Sequence, residues 1–187
     1  MTAISDQVLM QSVRDGELDK LGVLFERHHG MLFNFLLKMT SDRQLSEDLT
    51  QEVFVRILKY RHTYRGNSQF TTWMFQIARN ARVDHFRKYS GEETVKKDEQ
   101  LEEFAASGPS PRERLEREQE IKLLHGALQQ LSEEQREVLV LSRFHGMKYE
   151  QVAEILNCST GAIKARVFRA MQDLKQHFNS LEGEKVS

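Results

Sequence analysis

An all-α fold of two small helical domains joined by a flexible acidic linker is predicted by three observations. Apolar residues recur at helical spacing almost throughout, and no Val/Ile/Thr-rich alternating segment reads as a strand. The two prolines, Pro109 and Pro111, sit together in Ala-Ala-Ser-Gly-Pro-Ser-Pro, residues 105–111. We place the linker at 91–112, where glutamates and lysines leave too few apolar residues for a core. It separates an N-terminal domain (1–90) from a C-terminal domain (113–187) that contains a helix-turn-helix.

Each element follows from its own signals. Leu21, Leu24, Phe25, Leu32, Phe35, Leu36 and Met39 form one long apolar stripe interrupted by Gly30. Ser41 opens a Ser-x-x-Gln box, a helix start signal, ahead of a helix over 42–60. A polar loop, 62–69, carries Gly66 and Asn67 as turn formers, and a strong helix covers 70–88. In the second domain a helix is expected over 112–130. The box Ser132-Glu-Glu-Gln135 starts another, which runs to Phe144. Helices over 148–156 and 160–178 then flank the turn Asn157-Cys158-Ser159.

Composition narrows the function classes. Of 187 residues, 39% are hydrophobic and 29% charged, and a single cysteine excludes an internal disulfide. No apolar run is long enough to span a membrane, and the N-terminus lacks the layout of a signal peptide, so a cytoplasmic protein with no membrane insertion is expected. The net charge of −1 conceals an uneven distribution. Residues 1–90 carry 13 Lys+Arg against 10 Asp+Glu, residues 91–118 carry 5 against 9, and residues 119–187 carry 9 of each. Stretches 70–90 and 155–181 each hold four bases and one acid. Two basic patches with an acidic connector between them point to two DNA-contacting modules.

Three helices carry candidate sites. In 160–178, Ile163, Val167, Ala170, Met171 and Leu174 share a face that must pack. Ala162, Ala165, Arg166, Arg169 and Gln172 lie opposite. Alanines there allow close approach to base edges, and arginine pairs in a bidentate way with guanine. Ser159 or Thr160 can cap this helix, leaving backbone N–H groups suited to a phosphate. In 70–88, Phe70, Met74, Ile77 and Ala81 form a core face with Trp73 at its edge. Phe75, Arg79, Arg82 and Phe86 form a second stripe, either a surface for single-stranded DNA or a face whose aromatics are buried on a neighbour. In 42–60, Leu45, Leu49, Val53 and Ile57 point inward. Phe54, Val55 and Leu58 lie off that stripe beside Asp48, Gln51 and Glu52, either as a protein-binding face or as a second buried side.

Joined in order, these segments are recognisable. Asp48-Leu-Thr-Gln-Glu-Val-Phe54, Tyr64-Arg-Gly-Asn-Ser-Gln-Phe-Thr-Thr-Trp73 and Ile77-Ala-Arg-Asn80 resemble the second conserved region of extracytoplasmic-function (ECF) sigma factors of bacterial RNA polymerase. Leu131-Ser-Glu-Glu-Gln-Arg-Glu-Val-Leu139, Tyr149-Glu-Gln-Val-Ala153 and Gly161-Ala-Ile-Lys-Ala-Arg-Val-Phe-Arg-Ala170 resemble the fourth. The resemblance covers nearly all of both domains. It implies a factor that binds core RNA polymerase, recognises the −35 and −10 promoter elements, assists promoter melting and is not an enzyme. Asp48, Gln51, Glu52 and Phe54 match the surface that docks on the clamp of the polymerase's largest subunit. The loop with Tyr64, together with Asn80, matches the pocket for a flipped −10 base, with Trp73, Arg79 and Arg82 supporting that strand and the adjoining duplex. Ser159, Thr160, Lys164, Arg166, Phe168 and Arg169 are the expected −35 contacts. Ala162 stands where a threonine is frequent and Met171 where an arginine is frequent, departures that bear on promoter choice. An anti-sigma factor is a further partner the resemblance brings in, although no residue here identifies one.

Other classes explain less. His28-His29 lacks ligands at a fitting spacing for a metal enzyme, and Cys158 has no cysteine partner, so no cofactor or metal is expected. A free-standing helix-turn-helix regulator would account for 131–178 and leave the first domain without a task. An adaptor acting only through protein contacts would not need two basic patches.

Overall fold

The computed structural model describes residues 4–89 and 111–186, with side-chain surroundings in the second stretch described over 117–183. The proposed linker therefore lies outside the described residues, except for its last two positions. The helices are α1 (Asp6–Asp15), α2 (Lys20–Thr40), α3 (Arg43–Tyr60), α4 (Phe70–Tyr89), α5 (Pro111–Gln130), α6 (Glu133–Leu139), α7 (Tyr149–Leu156) and α8 (Thr160–Val186). No strand occurs among the described residues.

Helix α1 is absent from the sequence reading, yet its signals are local. Ser5 accepts a hydrogen bond from the Val8 N–H at 3.4 Å. Gly16, at φ 115°, ends the helix by donating to the Ser12 and Val13 carbonyls, a conformation that glycine adopts without steric cost. Between these ends Leu9, Met10 and Val13 are buried, at spacings that suit one face of a helix. A helix of ten residues gives a weak periodic signal, and its packing, chiefly against α2, stabilises it.

The α2–α3 junction corrects the expected cap. Ser41 adopts left-handed φ and closes α2, and its neighbour Asp42 caps α3 by accepting from the Leu45 N–H at 2.9 Å. Asp42 supplies a carboxylate at a helix N-terminus, where the free N–H groups and the helix dipole favour negative charge. The expected box at Ser132 forms as read, with Ser132 and Gln135 bonding each other's backbone N–H at 3.3 Å. The helix over 112–130 begins one residue earlier, with Pro111 at a first-turn position that needs no N–H partner.

Helices α1–α4 bury Leu24, Leu32, Phe35, Leu36, Val53, Ile57, Phe70 and Met74 in one core. In the second half α5, α6 and α7 pack around α8, through Leu128, Val138, Leu139, Val152, Ile163, Val167 and Ala170. Helix α8 runs beyond the expected end near 178 because Phe178 and Leu181 still pack on the core. A Cβ at Gly126 of α5 would meet Leu181 at 3.3 Å, so this glycine admits the close crossing. Helix α6 continues into a π-helical turn, Val140–Phe144, in which His145 N–H reaches back to the Val140 carbonyl at 3.0 Å. The widened turn carries His145 towards the N-terminal half, where its ring lies 6.2 Å from Phe35 and 5.4 Å from Phe75.

The two halves are packed together. Helix α4 lies against α7, and α2 meets α6 and the π-helical turn. Gln76 donates to the Glu154 carbonyl at 3.2 Å, Gln129 to the Lys38 carbonyl at 3.1 Å, and Arg136 to the Met39 carbonyl at 3.3 Å.

Candidate nucleic-acid interface

On α3 the exposed stripe is Asp48, Gln51, Glu52 and Val55, which recur at spacings of three and four. Val55 is 60% exposed, an apolar centre flanked by acids. Glu52 also holds Arg56 at 2.8 Å, and Arg56 reaches Asp84 of α4 at 2.8 Å. Phe54 is turned the other way. It is 6% exposed and meets the Phe25 ring edge-on at 4.9 Å between centroids. Asp48, Gln51 and Glu52 are thus together on a surface and Phe54 is in the core beneath them. Phe54 is one position from Val55 and two from Glu52, about 100° and 200° around the helix, which turns it to the other side.

On α4 the core stripe forms as expected, with Phe70, Met74, Ile77 and Ala81 buried. The second stripe is split. Phe75 is 1% exposed, wedged between Phe35 and His145, so its burial comes from the C-terminal half packing there. Phe86 is 39% exposed. Arg82 is 2% exposed and donates from Nη2 to Glu133 Oε1 at 2.6 Å, with Glu137 Oε1 at 3.5 Å. Arg79 is partly exposed and donates to Glu137 Oε2 at 3.3 Å. Burial pushes the Glu137 carboxyl above the usual carboxylate range, against the pull of the Arg82 and Arg79 cations.

Asn80 is exposed on α4. Tyr64 is 2% exposed, with its hydroxyl donating to the Ser68 carbonyl at 3.2 Å and its ring 5.2 Å from the half-buried Trp73. Tyr64 and Trp73 therefore form one aromatic cluster at the start of α4, while Asn80 stands near the middle of the helix. Gly66, at φ 73°, turns the loop between them.

In the helix-turn-helix, Asn157 takes left-handed φ and Cys158 N–H bonds back to the Ala153 carbonyl at 3.0 Å, which closes α7. Ser159, the alternative the sequence left open with Thr160, caps α8 by accepting from the Ala162 N–H at 3.2 Å. Lys164, Ala165 and Arg169 are exposed, and Arg166 is partly exposed with Glu134 of α6 at 4.0 Å. One residue of this helix departs from expectation. Met171, expected to pack, is 42% exposed. Phe168, 65% exposed, lines a shallow apolar groove with Met171, Leu124 of α5, Leu174 and Phe178. It lies three residues from Ala165 and four from Lys164, on the same exposed face of the helix.

His28 bonds Asp6 at 2.7 Å and lies near Phe70, and His29 stacks on Phe25. No cluster of metal-ligating residues occurs among the described residues. Nor, among them, is any helix long and apolar enough to cross a membrane.

Residues 24–92 match the Sigma-70 region 2 family and residues 121–174 match the Sigma-70, region 4 family. The ECF RNA polymerase sigma factor SigM of Bacillus subtilis (strain 168) is 34% identical over 156 residues, which cover 83% of this chain and 93% of that protein. The chain belongs to the ECF sigma factor family. This ECF sigma factor is also 31% identical over 175 residues to the RNA polymerase sigma factor CarQ of Myxococcus xanthus, covering 94% and 98% of the two chains. Its fold is that of the sigma factor RpoE from Bartonella quintana, solved in complex with the anti-sigma factor NepR. The TM-score is 0.66 at 24% identity, over 84% of this chain and 96% of that one. As a sigma factor it directs promoter recognition and transcription initiation, and its family consists of initiation factors rather than enzymes.

The residues missed by sequence reasoning are Glu133, Glu137 and His145. Glu133 was read only as part of the Ser132 box, and Glu137 only within the family-like stretch 131–139. Their partners, Arg79 and Arg82, are more than fifty residues away, and no local pattern announces a pairing at that separation.

Proposed function

We propose that the two halves divide the work, with 1–90 engaging core RNA polymerase and the −10 element and 113–187 reading the −35 element. On α3, Asp48, Gln51 and Glu52, with Val55 at their centre, dock on the clamp of the largest subunit, and Phe54 supports them from below. The loop anchored by the buried Tyr64, with Asn80, receives the −10 strand, and Trp73, Arg79 and Arg82 support it. On α8, Arg166 and Arg169 reach base edges and Lys164 a phosphate, while the N-terminus capped by Ser159, next to Thr160, faces the backbone. Phe168, one helical turn from Lys164 and Ala165, contributes an apolar contact to the −35 element. The observation that supports this division best is α8 itself. It follows a tight turn and presents alanines and arginines to solvent, with Ile163, Val167, Ala170 and Leu174 packed on α5–α7.

An anti-sigma factor is a further proposed partner, since the related RpoE is held by one. The protein works in the cytoplasm, beside the polymerase. Capture on immobilised bacterial core polymerase, followed by transcription from a library randomised at the −35 and −10 positions, tests the proposal. Specific products that require both elements are expected. A chain that is not captured, or that selects no promoter once captured, overturns it.

A further inference from the structure

Helix α1 takes no part in the division of work proposed above. It precedes the residues matched to region 2, which begin at 24. Yet it is built onto the loop assigned to the −10 strand. Besides α2, it touches the 3₁₀ turn Arg61–Thr63 and α4, the elements on either side of that loop. Gln11 lies over the loop itself, since a Cβ at Gly66 would meet Gln11 Nε2 at 3.1 Å. Gly66, at φ 73°, is where the chain turns, so Gln11 covers the one loop residue whose backbone conformation other side chains resist.

A second connection runs through the first turn of α1. Arg27 Nη1 donates to Asp6 Oδ1 at 2.7 Å and to the Ile4 carbonyl at 2.8 Å, and His28 Nε2 lies 2.7 Å from Asp6 Oδ2. The His28 ring is in turn 5.3 Å from the ring of Phe70, the first residue of α4. Burial, with the Asp6 carboxylate nearby, holds the Tyr64 phenol above its ordinary range. Asp6 thus ties α1 down where the loop meets α4, and Gln11 meets the loop at its turn. Leu9, Met10 and Val13 hold α1 on the core, whereas Gln11 is exposed and adds nothing to that burial.

A short loop that turns on a glycine has many conformations open to it, and each one lost on binding weakens the complex. Arg65 and Asn67 stand exposed on either side of Gly66, so the shape of the turn decides where both side chains point. We infer that α1 is a brace that sets the conformation of the −10 loop, with Gln11 as a positioning residue acting through Gly66 and Asp6 as its anchor. The inference rests on the assignment of the loop to the −10 strand made above and adds what fixes the loop's shape. Selectivity at −10, and not stability, is then the quantity that Gln11 controls.

Gln11→Ala and Gln11→Met in the full chain test it. Melting temperature and capture on core polymerase should match the wild type, because Gln11 is exposed and lies outside the α3 stripe. The wild type should discriminate against templates with a single substitution in the −10 element by about tenfold. Gln11→Ala should reduce that discrimination by about threefold, with its discrimination across a panel of −35 variants unchanged. Gln11→Met, which keeps the length of the side chain, should retain most of the −10 discrimination. Trp73, the single tryptophan of the chain, reports on the loop without polymerase, since its ring lies 5.2 Å from Tyr64. Acrylamide should quench Trp73 more steeply in Gln11→Ala than in the wild type, and Asp6→Asn, which weakens the anchor, should act in the same direction. Unaltered −10 discrimination in Gln11→Ala overturns the inference, as does an equal loss at −10 and −35, which would mark general damage. If the wild type itself selects no −10 element, the assignment of the loop fails, and the quenching of Trp73 still decides whether α1 braces it.

Discussion

Phe54 lies in the core beneath the exposed stripe of Asp48, Gln51, Glu52 and Val55, the proposed docking surface. The sequence placed Phe54 beside Asp48, Gln51 and Glu52 as a polymerase contact, whereas its ring is 6% exposed and meets Phe25 edge-on at 4.9 Å. Truncating a buried phenylalanine to alanine removes its transfer free energy and leaves a cavity, about 3–5 kcal/mol together. In a chain of this size each kcal/mol moves the melting temperature by about 2–4 °C, so a drop on the order of 10 °C is expected. Gln51→Ala, at an exposed position, should change stability by less than about 0.5 kcal/mol. The pair is read by thermal melts followed with circular dichroism, run beside capture on core polymerase at a temperature where both variants remain folded. Phe54→Ala should melt early and keep most of its core affinity once folded, and Gln51→Ala should melt normally and bind less. A Phe54→Ala protein that melts like the wild type but is not captured would show that the ring faces the polymerase, and the reasoning from burial would be wrong.

Three further outcomes follow from the geometry. Burial beside Lys38 lowers the His145 imidazole to about 4 from its ordinary 6.5. The packing of the two halves should be at full strength above pH 6.5 and weaken as the pH falls towards 4, by up to about 3 kcal/mol. Glu137, raised by burial, works in the opposite sense, so the His145 contribution is read as the difference between pH-dependent melts of the wild type and His145→Phe. At the α2–α3 junction Asp42→Ala should cost about 1 kcal/mol through loss of the cap on α3, and Ser41→Gly should be close to neutral, as urea melts would register. On α8, Arg169→Ala should lower transcription from the preferred −35 sequence by about 1–3 kcal/mol of apparent affinity and lose that effect on templates already mutated at the matching base pair. Lys164→Ala should weaken all templates about equally and reduce the salt slope by about one. Uniform loss across a panel of −35 variants for Arg169→Ala would remove it from the readers of base edges.

What the sequence made legible, and what it hid, divides along the range of the forces involved. Helix α8 was legible because everything it needs is local: a capping Ser159, apolar residues at i, i+4 and i+7, and arginines on the opposite face. The same holds for the box at Ser132 and for the core stripe of α4. The second stripe of α4 was read correctly as a pattern, but its environment belongs to another part of the chain. Phe75 faces the ring of His145, seventy residues on, and Arg82 faces Glu133 and Glu137. Amphipathic spacing reports that a face is apolar or basic and carries no record of what covers it. An arginine beside an aromatic has the same signature whether it awaits a phosphate or already holds a carboxylate. In this chain the ambiguity has a physical basis, since the same guanidinium that suits DNA also suits α6. A guanidinium held by carboxylates therefore looks like a DNA contact in sequence and like an ion-pair cluster in the fold.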